Sequence, residues 1–312
     1  MINLFKKKII SILKNINIEI DEKIIINTAK NLVYLQNTLV NQDQNLNAYE
    51  FKVFSQFGDD GILQFLVNNL QFDNDSKNFL EFGVEDYSES NTRFLLINNN
   101  WSGIVIDSDF NNIKKIKQKD FYWRYELDAY CEFVTKENIN TILEQKLGKN
   151  IGIISIDIDG NDYWVFKEIK SKPILFIIEY NSLFGFDKNL TIPYKKNFNR
   201  NSEHYSNLYW GCSLNALIQE AKNKDYQFIG TNLAGNNSYF VRQDKYFLIK
   251  DKIVNFSKNI SKFRESRDIN GKKNFLNKKQ QINLISNLDL YDIDINKIVK
   301  IKDLFNLEKK KI

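Results

Sequence analysis

Residues 153–164 read Ile-Ile-Ser-Ile-Asp-Ile-Asp-Gly-Asn-Asp-Tyr-Trp, an apolar run that ends in three acids. A second apolar run, 174–180, carries Glu179 near its end, with Asn181 just beyond. If the two runs are neighbouring parallel strands, Asp157, Asp159, Glu179 and Asn181 converge at one mouth, where open α/β sheets bind their ligands. Carboxylates gathered there suit general-base work on a hydroxyl. The oxygen set Asp157, Glu179 and Asn181 also suits Mg²⁺ or a similar hard cation. Asp157-Ile158-Asp159 equally spells the Asp-x-Asp of a metal-dependent glycosyltransferase. The glycine comes too early for an EF-hand loop. Asp162 reads as a helix cap. His204, the only histidine, lies in a polar, aromatic stretch and is a further candidate base.

A second group of residues suits a ligand. Glu81 and Gly83 form Glu-x-Gly after a short apolar run, and the glycine lets backbone pass close to a ligand. Glu85, Asp86 and Glu89 make the following loop acidic, which is wrong for a pyrophosphate and right for a cation such as a sulfonium. Asp107, 24 residues after Gly83, is placed to accept from both ribose hydroxyls. Asp128, expected just past a third strand, is a candidate partner for an adenine amino group.

These residues need a sheet to hold them. Short apolar runs predict strands over 78–84, 102–109, somewhere within 121–134, 151–157 and 174–180, separated by helical patterns over 88–100, 135–147 and 162–169. Ser88 and Ser90 are N-cap candidates for the first of these helices. Runs apolar throughout suit parallel strands covered on both faces. A helix over 213–225 precedes two runs joined at Ala-Gly-Asn-Asn, a hairpin. The fold class expected is α/β, a doubly wound Rossmann-like sheet with a closing antiparallel hairpin, flanked by N- and C-terminal helices. Residues 181–210 lack periodicity and read as a lid, a substrate loop or an insert. The expected division is an N-terminal helical extension (1–50), a catalytic domain (51–245) and a helical tail (246–312).

Composition narrows the setting. With 43% apolar and 27% charged residues the chain is globular rather than disordered. The +5 net charge, lodged mostly at the two ends, does not make a nucleic-acid footprint. Cys131 and Cys212 form no Cys-x-x-Cys pair, so neither zinc nor a disulfide framework is indicated and a reducing cytoplasm is the simplest setting. The N-terminal apolar stretch is shorter than the roughly 7–15 residues of a secretory signal. Its lysines allow membrane-surface contact, although a plain docking helix is the simpler reading.

Taken in order, "SQFGDDGIL", "FLEFGVEDYSESNTR", "SIDIDGNDYWVF", "IIEYN", "TIPY", "GCSLNALIQEA" and "AGNNSYFVR" resemble a bacterial group of S-adenosylmethionine (SAM)-dependent methyltransferases related to the FkbM type. The resemblance spans about residues 53–243. The family's Lys-Ile-Asp-Val-Glu-Gly-x-Glu corresponds to residues 155–162, with Ser155 for Lys and Asp159 and Asp162 for Glu. It implies a class I methyltransferase fold, SAM as cofactor, and methyl transfer to a hydroxyl on a sugar, natural product or glycoconjugate precursor. Catechol-type O-methyltransferases, with an acid after strand four and an acid–Asn pair after strand five, are similar, but here Tyr180 interrupts the pair. The rival expectations are the glycosyltransferase named above and a non-catalytic SAM-fold binding protein.

Overall fold

The computed structural model describes residues 22–38, 45–146, 150–262 and 266–305. The basic N-terminal helix expected within 4–13 lies outside them. No described helix is long and apolar enough to cross a membrane.

Helix α1 (22–38) and α2 (Asp59–Asn69) lead into the alternation. The main sheet is built from β1 (Asn78–Phe82), β2 (Ser102–Asp107), β3 (Leu127–Cys131), β4 (Ile153–Ile156) and β5 (Leu175–Glu179). Between them run α3 (Arg93–Asn99), α4 (Phe110–Lys117), α5 (Asp120–Arg124), α6 (Ile139–Lys146) and α7 (Asp162–Glu168). The insert holds β6 (Leu190–Thr191) and α8 (Arg200–Glu203), followed by α9 (Leu214–Asn223), which Ser213 caps through its side chain. Then come β7 (Tyr226–Thr231), β8 (Asn237–Arg242), α10 (Gln243–Tyr246), α11 (Lys278–Leu284), β9 (Asp289–Asp292), β10 (Lys297–Lys300) and α12 (Ile301–Leu304).

The seven-stranded order is β3-β2-β1-β4-β5-β8-β7. The first five strands are parallel, and β8 pairs antiparallel with both β5 and β7. This is the expected doubly wound α/β sheet with its closing antiparallel hairpin. Successive strand residues point to opposite faces. Phe79, Ile153 and Ile177 join one buried cluster with Leu63 of α2, while Leu80, Ile154 and Phe176 join another with Val165 of α7 and Leu217 of α9. Burial on both faces explains why these strands read as unbroken apolar runs.

The tail departs from expectation. Among its described residues it is helical only in short pieces, and β9 and β10 form a hairpin that pairs with β6 in a second, three-stranded sheet. Charged residues at both ends of each strand hide the pattern. Leu290, Ile301 and Ile282 pack with Leu183, Phe198 and Trp210 in one buried cluster, so the insert and the tail share a core. Leu290→Ala should therefore cost about 2–5 kcal/mol in chemical denaturation. A loss under about 0.5 kcal/mol, the range of a surface substitution, would mean that the hairpin only rests on the surface.

Candidate functional site

The site forms where strand order reverses, between the carboxyl ends of β1 and β4. Gly83 follows β1 with φ +71°, and a Cβ there would stand 1.7 Å from the carbonyl oxygen of Asp157. Its freedom thus serves a backbone approach between strand ends. The register Ile156↔Ile178 sets Asp157 beside Glu179 at the next step along β4 and β5. Asp157, Asp159 and Glu179 each offer an oxygen within 4.8 Å of the others. Asp159 is held left-handed at φ +54°, a strained state for a residue with a side chain.

Glu179 is buried, and its Oε2 has no hydrogen-bond donor among the described residues. Burial first raises the pKa of both Asp157 and Glu179 well above the usual carboxylate value; the charges of Asp159 and Asp162 add to this at Asp157, and those of Asp157 and Asp159 at Glu179. Arg200 opposes the rise: it pairs with Asp159 and lowers both acids. Its placement comes from α8, where Asn199 accepts from the backbone of Asn201 and Ser202. The Arg200 guanidinium lies 4.5 Å from the centre of the Trp210 ring, and its Nε donates to the Asn207 carbonyl. Arg200 was not singled out in the sequence. The signal available was an arginine next to an Asn cap, inside the polar insert.

Two chambers meet at this cluster. The larger, about 420 Å³, is lined by Glu85, Asn91, Asn237, Glu179, Arg200 and Arg267 among others. The smaller, about 190 Å³, runs past Asp107, Ser108, Glu132, Phe133, Val134 and Ile158. Gly83, Glu85, Asp157, Asp159 and Arg200 line both and form the partition. Asp107 closes β2, and its carboxylate accepts from the backbone of Glu85 and Asp109 and from the Asn112 amide. It therefore fixes the acidic loop as well as facing the smaller chamber.

Other expected residues are placed differently. Asp128 is the second residue of β3, near its amino end, exposed and outside both chambers. β3 lies within the expected 121–134, after α5, and runs through Asp128, so Glu132 and Phe133 stand at its carboxyl end. Glu81 borders the larger chamber, but its carboxylate is spent on the loop: it accepts from the backbone of Asn91 and Thr92 and from the Ser90 and Thr92 hydroxyls. That also explains why α3 starts at Arg93 rather than at Ser88 or Ser90. Asn181 turns away from the acids, donating to the carbonyls of Leu208 and Trp210 and accepting from Leu183, which removes it from the expected metal set. His204 lines neither chamber; its Nδ1 faces the Ser206 hydroxyl and burial lowers its pKa. Asp162 is the first residue of α7, but its carboxylate accepts from the backbone of Ile158 and Gly160 in the preceding turn, so it braces that turn rather than capping the helix as expected. Cys212 is a buried core residue whose thiol burial pushes up.

The electrostatics can be read directly. Because Asp159 raises both partners, Asp159→Asn should lower the pair's titration midpoint. In carboxyl ¹³C NMR the wild-type midpoint should lie well above the ordinary carboxylate value of about 4. An unshifted pair, or a midpoint that moves up in Asp159→Asn, would contradict the coupling.

No family model and no curated protein matches the chain. Solved structures with a similar backbone include an S-adenosylmethionine-dependent methyltransferase from Clostridium acetobutylicum, with TM-score 0.37 and 11% identity over 69% of this chain and 99% of that one. An O-methyltransferase from Bacillus cereus in complex with SAH gives TM-score 0.36 and 13% identity over 67% and 96%. The N-terminal domain of EvdMO1 with SAH bound gives TM-score 0.39 and 11% identity over 70% and 94%. Likenesses at this distance carry no argument; the strand order and the chambers do.

Proposed function

We propose that the chain is a SAM-dependent methyltransferase that methylates a hydroxyl of a small acceptor, a sugar or glycoconjugate precursor of the kind the FkbM-type motif series suggests. The observation that carries this reading is the pair of chambers at the carboxyl ends of the sheet, parted by Asp157, Asp159 and Arg200. The smaller chamber suits a nucleoside. Asp107 is at the ribose position. Phe133, Val134 and Ile158 offer apolar faces to a purine, and Glu132 takes the place expected of Asp128. Glu85, on the partition, puts negative charge where a sulfonium would lie. In this reading residues 51–245 hold the cofactor, and the tail with the insert forms the cover.

Bound SAM supplies a methyl group on a cationic sulfur that departs as a neutral thioether. The chain's task is to orient the acceptor and take its proton. The Asp157–Glu179 pair receives the hydroxyl proton as the new C–O bond forms and the C–S bond breaks. Its raised pKa makes the deprotonated pair a stronger base than a free carboxylate. The sign follows: turnover falls as pH drops through the raised pKa. The three carboxylates also have the donor chemistry for Mg²⁺, which would lower the pKa of the hydroxyl. Asp157, Asp159 and Glu179 would hold it, with Arg200 competing for Asp159.

Calorimetry separates this reading from the glycosyltransferase. SAM should bind and UDP-glucose should not. Asp107→Ala should weaken SAM about ten-fold or more through lost charge-assisted hydrogen bonds. Asp159→Ala should keep SAM affinity and lose turnover over a panel of sugar acceptors. Heat from UDP-glucose alone, or equal loss of SAM affinity in both variants, would overturn the assignment.

A further inference from the structure

The Gly-Asp-Asp-Gly turn at 58–61 has no part in the chemistry above, yet its first acid lies behind the larger chamber. Asp59 opens α2 and is fully buried. Its Oδ1 accepts from the Asn232 and Asn237 amides, each at 3.0 Å, and from the Tyr239 hydroxyl. Asn232 in turn closes the loop between β7 and β8. Its Oδ1 accepts from the N–H groups of Gly235, Asn236 and Asn237 at 3.0, 3.2 and 3.2 Å. The start of β8 is therefore held by α2 and by its own turn.

This network decides which end of the Asn237 amide meets the chamber it borders. Asp59 Oδ1 is an acceptor, so the Asn237 NH₂ must face it. The same Nδ2 reaches the Asn91 Oδ1 at 3.5 Å. Asn237 Oδ1 is what remains, and among the described residues no group donates to it. Asn237 is also the register partner of Glu179 across β5 and β8. Residues opposed in this way project to one face with Cβ atoms about 4.5–5.5 Å apart. Glu179 Oε2 has no donor among the described residues either. Two oxygen acceptors, on residues 4% and 6% exposed, thus stand side by side at the wall of one chamber. Buried acceptors left without donors destabilise a fold, and a ligand that brings two donors relieves both. Adjacent hydroxyls of a sugar ring bring one hydrogen each.

We infer that the larger chamber reads a vicinal diol. One hydroxyl donates to Asn237 Oδ1, and its neighbour on the next carbon meets Glu179 and is the one methylated. Asp59 is a positioning residue that acts through the Asn237 amide. The diol site stands on the strand register and the amide network; only methylation of the second hydroxyl rests on the methyltransferase reading.

The test is calorimetry and saturation-transfer NMR on the full chain with S-adenosylhomocysteine. The probes are the methyl glycosides of glucose, galactose and mannose with their monodeoxy analogues. At least one parent glycoside should bind, and removing either of two hydroxyls on adjacent carbons should weaken it about ten-fold or more. In Asn237→Ala the parent should weaken by a similar factor. The deoxy analogue without the hydroxyl that Asn237 takes should bind variant and wild type alike, because the cycle removes one contact from both sides. A merely structural role would weaken every ligand together. No binding by any parent, sensitivity confined to one hydroxyl or to non-adjacent carbons, or a uniform loss in the variant would overturn the proposal. S-adenosylhomocysteine binding, at residues that exclude Asn237, serves as the folding control. If the variant does not fold, the deoxy scan on the wild type decides alone. Absence of S-adenosylhomocysteine binding to the wild type would instead sink the methyltransferase reading, leaving the hydroxyl pattern to be read by itself.

Discussion

The whole site depends on one close approach, that of the backbone after β1 to the backbone after β4. Position 83 has no side chain, and a Cβ there would overlap the Asp157 carbonyl. Because the two strand ends can close, the switch point becomes a wall with a chamber on each side. Two further locks depend on it. Asp107 accepts from Glu85 N–H and so ties the loop after β1 to β2. Glu81 gathers Ser90, Asn91 and Thr92, which turns that loop back over the sheet before α3 begins. Glycine here serves strand packing first, and any ligand benefits from the geometry that results.

The wall brings together charges that repel. Burial and the charge of Asp159 raise the pKa of both Asp157 and Glu179, and neither strand supplies a counter-charge. That role falls to Arg200, on a short helix of the insert, and the insert is held by the tail. Thr191 pairs with Tyr291, and the Tyr209 hydroxyl donates to the Asp289 carbonyl. Residues more than a hundred positions after β4 therefore help to set the electrostatics at its end. The cover is part of the chemistry, which gives a physical reason for the extra length beyond the main sheet.

Much of this was legible in the sequence because the parallel strands are buried on both faces. Four apolar runs, a further strand expected within 121–134 and an Ala-Gly-Asn-Asn turn suffice to outline the sheet, and once β4 and β5 are neighbours the meeting of Asp157 with Glu179 follows. What stayed hidden has specific causes. β3 lies within the expected 121–134, but the first part of that range forms α5, so Asp128 falls inside the strand near its amino end rather than past it. Asn181 and Glu81 carry suitable groups, but nearby backbone donors and acceptors claim them, which side-chain type alone does not reveal. His204 is tied to Ser206 within its own turn. The tail hairpin was masked by lysines and aspartates at strand ends, and Arg200, Arg267 and Lys273 reach the site only through tertiary contacts.

The central claim is that the partition separates a cofactor chamber from an acceptor chamber. A crystal structure of the full chain with S-adenosylhomocysteine tests it most directly. The account predicts ribose oxygens on Asp107, the purine against Phe133 and Val134, and the sulfur directed at the Asp157–Glu179 pair. Density for the ligand in the larger chamber, or a purine away from the end of β3, would contradict it.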